Sequence, residues 1–514
     1  MTDPGDQRVP NDRLREIIAA VVVALVIGVV VALLHGPSTE LALTGDSYHW
    51  VQHAHRATHD PIFLFADLDQ FFRPSATWLL AIDRVVWRAF DPAGYRVTSL
   101  LLHLMTCVCL WFVGRRCALG WFSSTAVVLI WCTSPFMSES VFVVACRHQN
   151  LLFLPWLVLI LAWPRARESW STPSALLALA MVVLAAAAKE TWVVTPGLVF
   201  ALELERKRTW QNALRTAAVS GIGVVAYVAV YVAAFGSGNP YFTPGLHMLA
   251  RVPAQLAAFF YLNEPMPFEV RMTWQGVVAF TIVAALAAAC VKWEMPGTRV
   301  ALALLILPTL PTLAVPFMPV RYLAIPYAGF LLLLAGWVRC FGERQPRWKT
   351  TISVCAGALA AFVVAAGASI VRADLADYRR MADAQQVLLE EAIAVAPVVA
   401  AGGPVVVVRD EQSQPLVEIL REPEGFAKLS YTRHADPYGL VDAATLFEWV
   451  IAEDGTLVEQ VPDWAESCRG VEGVVLVHTE GGFVNQGPTL DVAAAALRWR
   501  ERGRHTRVIR TVRR

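Results

Sequence analysis

Charge is what this chain has least of. Only 17% of its 514 residues are Asp, Glu, Lys or Arg, and 56% are hydrophobic, whereas an ordinary soluble chain carries about 25% charged residues. Acidic and basic side chains are missing altogether from residues 17–34, 97–113, 124–133, 151–163 and 351–371. A soluble core cannot absorb so many long uncharged segments, whereas a bilayer about 30 Å thick needs about 20 mostly apolar residues for each helix that crosses it. An excess of positive charge is lacking too. With a formal net charge of +1, no basic face remains for nucleic acid once the arginines have set the membrane topology. Of the nine cysteines only Cys468 lies in the charged C-terminal stretch, which excludes a disulfide framework there and leaves the others as small apolar packing residues. That stretch also lacks a phosphate loop, since Gly402-Gly403-Pro404 and Gly481-Gly482 have neither the spacing nor the lysine.

What is present falls into two regimes with a boundary near Val371. Residues 1–371 read as a polytopic α-helical membrane domain, and residues 372–514 as a soluble α/β domain. The N-terminus carries Arg8, Arg13 and Arg15 before an apolar run from Ile17 to Leu34. His35-Gly36-Pro37 lacks a small-x-small cleavage pattern, so the run is read as a retained helix rather than a cleaved leader. Lys and Arg cluster at Arg115-Arg116, at Arg165 and Arg167, at Arg206-Lys207-Arg208, at Lys292 and Arg299, and from Arg344 to Lys349. Short basic loops stay cytoplasmic. Reading between them predicts spans near 17–34, 95–113, 119–138, 141–163, 173–188, 191–203, 214–235, 274–291, 300–315, 322–338 and 350–371. About eleven crossings put the N-terminus in the cytoplasm and the C-terminal domain outside it, as in a bacterial inner or plasma membrane.

The first external loop, residues 36–94, is far longer than a helical bundle needs, and long loops tend to be functional. It holds Asp46, His49, His53, His55, His59, Asp60, Asp67, Asp69 and Arg73. Within it Ser75–Phe90 reads as a helix lying along the membrane surface, with Trp78, Ile82, Val85, Val86 and Phe90 on one side and Asp83, Arg84 and Arg88 elsewhere. A second such helix is expected at 247–262. Asp67-x-Asp69 could share a divalent cation, but pairs this short are common by chance. His49 and His53 have helical spacing without the further ligands a zinc site needs. No metal or other cofactor is assigned, and a divalent cation stays open.

Several motifs carry a resemblance. They are Gly45-Asp46-Ser47 just past the first helix, Phe72-Arg73-Pro74, Tyr95 leading into Ser99 to His103, Ser134-Pro135-Phe136-Met137-Ser138-Glu139, Arg147-His148-Gln149-Asn150, Ala188-Lys189-Glu190 and Arg321-Tyr322-Leu323-Ala324-Ile325-Pro326. In this order, over about residues 15–385, the chain resembles the C-type superfamily of glycosyltransferases, and within it the bacterial relatives of the protein O-mannosyltransferases that carry tetratricopeptide repeats. It departs from that subgroup at the end, where no helical repeat of roughly 34 residues follows.

The resemblance implies a hexosyltransferase, inverting in stereochemistry, that moves a sugar such as mannose. The sugar passes from a polyprenyl-phosphate donor to a protein or glycan acceptor on the extracytoplasmic face, among membrane lipids. Asp46 is the candidate general base, with a turn or capping aspartate as the alternative. Arg73 and Arg321, with Tyr322, are candidates for holding the donor phosphate, against plain snorkelling to headgroups. Asp67, Asp69, Glu139, Arg147, His148, Lys189 and Glu190 are candidates for lining the site. A Glu139–Arg147 ion pair that merely joins two helices is the alternative for those two, and His103 reads as a structural hydrogen-bonding residue. In the C-terminal domain strands are expected at Pro404–Arg409 and Gly473–His478, with helices at 373–396 and Leu490–Arg502. A transporter or flippase would also bury charge among many helices, but internal repeats are absent from the sequence and the polar residues gather outside the spans. A polymerase using lipid-linked oligosaccharide is a near neighbour of the glycosyltransferase reading.

Overall fold

The computed structural model describes residues 10–41, 43, 47–65, 72–87, 92–168, 173–206, 208–235, 245, 247–260, 274–313, 319–395, 405–410, 446–451, 474–479 and 482–488. The chain begins with α1 (Pro10–His35), followed by α2 (Ser47–His59) and α3 (Pro74–Val86) in the long loop. It then runs through α4 (Pro92–Arg116), α5 (Trp121–Cys132), α6 (Ser138–Phe142), α7 (His148–Glu168) and α8 (Pro173–Ala186). Next come α9 (Thr195–Glu205), α10 (Trp210–Phe235), α11 (His247–Ala258), α12 (Trp274–Lys292), α13 (Thr298–Ile306) and α14 (Thr309–Leu313). Two long helices close the membrane part, α15 (Ala324–Arg344) and α16 (Lys349–Val395).

Among the described residues seven helices are long and apolar enough to cross a membrane: Glu16–Glu40, Pro92–Arg116, Val144–Pro164, Trp210–Ala233, Trp274–Lys292, Val320–Arg344 and Pro346–Arg380. An eighth is added if Trp121–Cys132 and Pro135–Phe142, bent by 59°, count as one broken span. Their outward faces are apolar and open, with Leu33 70%, Val219 68% and Phe362 69% exposed, which suits hydrocarbon as solvent and would be costly in water. Against the expected count of about eleven, the described residues supply seven such helices, or eight with the broken span. An apolar run does not reveal where a helix breaks. The run at 119–138 stops at Ser134-Pro135 and turns. The run at 191–203 opens in a tight turn at Glu190–Val194, leaving an α9 of 11 residues, about 16 Å long and half of what a bilayer needs. Ala175–Ala186 and Thr298–Leu313 are likewise short apolar helices.

Inside the bundle Trp131, Trp156, Phe136, Phe153 and Tyr327 are fully buried. The Trp131 indole donates to the Ala324 carbonyl at 2.7 Å, tying α5 to α15. α13 and α15 cross so closely at Gly329 that a Cβ there would lie 2.5 Å from the Leu305 amide nitrogen, the small-residue contact by which membrane helices associate. The cysteines at 107, 109, 117, 132, 146, 290, 340 and 355 are all free.

Three of the helices run in the same direction. α4, α9 and α15 end on Arg116, Glu205 and Arg344, and these ends lie with the α12–α13 turn. There the Gly297 amide donates to Glu205 at 2.6 Å and Arg299 donates to the Leu204 carbonyl. At the opposite end α3, α4, α7 and α15 begin, and the loop helix α2 packs there against α3.

α3 lies along the bundle as expected for an amphipathic surface helix, with Ile82, Val85 and Val86 outward and Ala76, Leu80 and Asp83 buried. α16 is a single helix of 47 residues, about 70 Å long. Four strands follow: β1 (Val405–Asp410), β2 (Leu446–Ile451), β3 (Val474–Thr479) and β4 (Gly482–Pro488). They form one sheet in the order β2-β1-β3-β4. β1 is parallel to both neighbours, with Val405 opposite Leu446 and Val474, and β4 runs antiparallel to β3. β1 and β3 start one residue after the two strands expected there. The expected helix Leu490–Arg502 and Cys468 lie outside the described residues.

Candidate active site

The end of the bundle where α3, α4, α7 and α15 begin gathers charge from segments far apart in sequence. Arg73, immediately before α3, meets Glu190, immediately after Lys189, in a two-bonded pair: Nε to Oε1 at 3.0 Å and Nη2 to Oε2 at 2.9 Å. Both Arg73 nitrogens engage one carboxylate, the planar geometry only arginine offers. The backbone locks the same junction, since the Ser75 amide donates to the Ala187 carbonyl at 2.9 Å. Burial works against the Arg73 charge, and Glu190 outweighs it, holding the guanidinium above its ordinary pKa.

Lys189 is 3% exposed. Its Nζ donates to Gln149 Oε1 at 2.5 Å and sits 4.0 Å from the centre of the Tyr322 ring. Burial, with Arg73 beside it, lowers Lys189 to about 7, so near neutral pH it can gain or lose its proton. Arg321, one residue before Tyr322, pairs with Glu139 and lies 5.4 Å from the same ring. A continuous set thus runs from Arg73 through Glu190, Lys189, Tyr322 and Arg321 to Glu139.

A second pair stands beside it. Arg147 is fully buried and pairs with Asp83 of α3, itself bonded by the Thr98 hydroxyl at 2.7 Å. Burial pushes the Asp83 carboxyl up, against the pull of Arg147 and Thr98. His148 opens α7, its Nδ1 donating to the Ala145 carbonyl at 2.8 Å. Its Nε2 and both polar atoms of the Asn150 side chain are buried without a hydrogen-bond partner among the described residues.

Eight of the residues singled out in the sequence are therefore brought together: Arg73, Glu139, Arg147, His148, Lys189, Glu190, Arg321 and Tyr322. Two expectations about them are corrected. Glu139 pairs with Arg321 rather than Arg147, because Arg147 is taken by Asp83. Arg147 and His148 fall inside the span expected at 141–163, but a tight turn at Val144–Arg147 leads into α7, so they stand at its start. Asp46, Asp67 and Asp69 lie outside the described residues. Ser47, next to Asp46, is buried and its hydroxyl accepts from the Ala145 amide at 3.3 Å.

Two participants went unnoticed in the sequence. Asp83, placed by the sequence only away from the apolar side of its helix, is buried in the bundle while Ile82, Val85 and Val86 are exposed. Gln149 stood in plain sight inside Arg147-His148-Gln149-Asn150. His103 is buried, stacked on Trp131 at 5.4 Å and edge-on to His35 at 5.1 Å. Among the described residues no group of three or more His, Cys, Asp or Glu is placed to hold a metal ion.

No family model matches the chain, and no curated protein does. Solved structures that resemble it include ArnT from Cupriavidus metallidurans bound to undecaprenyl phosphate, with 12% identity and a TM-score of 0.45 over 90% of this chain and 93% of that one. The apo state of the same protein gives 12% identity and a TM-score of 0.45 over 91% and 94%. A similarity this distant does not by itself assign an activity to the chain.

Proposed function

We propose that the chain is a membrane glycosyltransferase that transfers a sugar, mannose being the one the motif resemblance points to. The donor is a polyprenyl phosphate and the acceptor a protein or glycan on the extracytoplasmic face. The observation that carries this reading is the meeting of Arg73, Lys189 and Arg321 around Tyr322, at the end of the bundle where helices begin. Helix N-termini and cations both favour an anion, and a phosphate at a membrane surface is the anion a lipid-borne sugar brings. The basic loops lie at the other end of α4 and α15, which supports placing the site outside the cytoplasm.

In this reading the acceptor hydroxyl attacks the anomeric carbon of the sugar and the bond from that carbon to the phosphate oxygen breaks. Asp46 takes the acceptor's proton. The leaving polyprenyl phosphate keeps the electron pair, and its charge is held by Arg73, Arg321 and the ammonium form of Lys189. Glu139 and Glu190 hold the arginines in place until phosphate competes for them. The charges gather at one end of the bundle rather than midway along the helices, which fits an enzyme fed laterally from one leaflet better than a transporter with a mid-membrane site.

The test is transfer from a radiolabelled polyprenyl-phosphate sugar by the full-length protein in purified membranes. Arg321→Ala is expected to weaken polyprenyl phosphate binding and turnover together, by about 10²-fold in kcat/KM, because its contact holds the phosphate in the ground state and strengthens as the leaving phosphate gains charge in the transition state. Unaltered binding and transfer in that variant would remove the phosphate assignment.

A further inference from the structure

The turn that leads into α7 fixes the proton of one histidine and leaves its other nitrogen unused. His148 points Nδ1 at the Ala145 carbonyl, 2.8 Å away. A carbonyl oxygen only accepts, so Nδ1 carries the hydrogen and Nε2 keeps a lone pair. A second proton would add a third positive charge beside Arg147, its neighbour in the chain, and Lys189, which is bonded to Gln149 at 2.5 Å. Nε2 lies on the side of the ring away from Ala145, and among the described residues it has no hydrogen-bond partner. His148 is 3% exposed, so bulk water does not serve it either.

Its anchors belong to the site. Ala145 is held from the other side by Ser47, the residue after Asp46, whose hydroxyl accepts from the Ala145 amide at 3.3 Å. One small core joins Ala145 to Trp50, and the Arg73 guanidinium stands 5.8 Å from the centre of the Trp50 ring. The imidazole is thus bonded to the turn that Ser47 holds, and it is one residue from the glutamine that holds Lys189. Asn150, the residue after Gln149, also has both side-chain polar atoms buried without a partner among the described residues. Side chains in a first helical turn lean towards the helix N-terminus, which is the end where the site lies.

Resting on the glycosyltransferase reading, we propose that His148 is a sugar-binding residue whose Nε2 accepts a hydrogen bond from a hydroxyl of the transferred sugar. The geometry separates this from two other ligand chemistries. A phosphate oxygen needs a donor, and this nitrogen has no hydrogen to give. The ammonium group of an amino sugar donates, but Arg147 and Lys189 repel it. A hydroxyl donates and carries no charge. Nε2 is covered, so the hydroxyl reaches it as the donor seats and parts the packing over the first turn of α7. A buried acceptor left unpaired penalises any sugar that lacks that hydroxyl, which makes His148 a determinant of sugar choice.

The experiment uses full-length protein in purified membranes, with polyprenyl-phosphate mannose and each of its monodeoxy derivatives as donors. Polyprenyl phosphate alone is the binding probe, and the thermal midpoint is read in detergent. Wild type should use one monodeoxy donor about five- to tenfold less well than the parent, the worth of one neutral hydrogen bond. His148→Asn keeps an amide that can donate to the Ala145 carbonyl and removes the lone pair. Its midpoint and its dissociation constant for polyprenyl phosphate should stay near wild type, while its donor KM rises about five- to tenfold. Its discrimination against that deoxy donor should vanish. His148→Gln sets an amide oxygen near the place of Nε2, and should recover part of the donor KM while lowering the midpoint. Equal use of all the deoxy donors by wild type would overturn the proposal whether or not any variant folds. So would undiminished discrimination in His148→Asn, or a rise in its acceptor KM in place of its donor KM. Absence of transfer from polyprenyl-phosphate mannose by wild type would overturn the function reading, and this proposal with it.

Discussion

The two ends of the same helices use arginine in opposite ways. At the end rich in basic loops, guanidinium groups meet backbone carbonyls where helices finish. Arg115 donates to Leu119 at 2.7 Å, Arg206 to Pro164 at 2.8 Å, and Arg299 to Leu204. These contacts satisfy carbonyls that a helix C-terminus leaves over, with the helix dipole in their favour, and they leave most of the charge to solvent. At the end where helices begin, Arg73 and Arg147 are buried, and each is matched by a carboxylate. Burying an arginine is costly unless it is paired, so an end that holds several such pairs serves something other than topology. Arg96, near the start of α4, shows that position alone does not decide this: it is fully buried yet donates to the Leu41 and Phe142 carbonyls, so the carboxylate partner is what sets Arg73 and Arg147 apart.

That contrast can be broken most sharply by topology. A reporter active only outside the cytoplasm should be silent when fused after Arg208, at the basic end. An active fusion there would invert the orientation and put the site inside.

Stability gives the next largest difference. Arg147→Ala strands Asp83 in a buried environment and should cost about 3–5 kcal/mol, read as a lower thermal midpoint. Arg299→Ala at the basic end loses one exposed contact and should cost about 1 kcal/mol or less. Equal losses would mean that the two ends do not differ in kind.

A smaller effect distinguishes Lys189 from the arginines around it. Its pKa is lowered to about 7, so it is charged below that pH and neutral above it, and an anion binds the charged form. Polyprenyl phosphate affinity should therefore fall about tenfold between pH 6 and pH 8. Lys189→Arg, charged throughout, should flatten the profile. Arg73, Glu190, Cys146, His148 and Tyr322 face Lys189, and a profile unchanged by Lys189→Arg would assign the dependence to a group other than Lys189.

The sequence made the gathering of residues legible but not their partners. Arg73, Lys189, Glu190, Arg321 and Tyr322 stand just before or in the first turn of an element, where motifs are short and local, so order along the chain was enough to collect them. Pairing is decided in three dimensions. Glu139 and Arg147 lie eight positions apart, close enough to suggest each other, yet α3 brings Asp83 to Arg147 and the start of α15 brings Arg321 to Glu139. The count of crossing helices among the described residues falls below the expected one for a related reason. Hydropathy sums side chains and is blind to the turn at Ser134-Pro135 and to the tight start at Glu190–Val194. In the C-terminal region β1 and β3 are runs of valine and were visible. β2 carries Glu448, and β4 is rich in Gly, Asn and Gln, residues with little preference for strands, so neither stood out.

The central claim is tested most directly by Asp46→Asn, which keeps the size of the side chain and removes the basic carboxylate. Transfer from a radiolabelled polyprenyl-phosphate sugar should fall by about 10² to 10⁴-fold, while polyprenyl phosphate binding and membrane insertion stay near wild type. A normally folded Asp46→Asn protein that retains most of its transfer activity would contradict the account and pass the role of base to Asp67, Asp69 or Glu139.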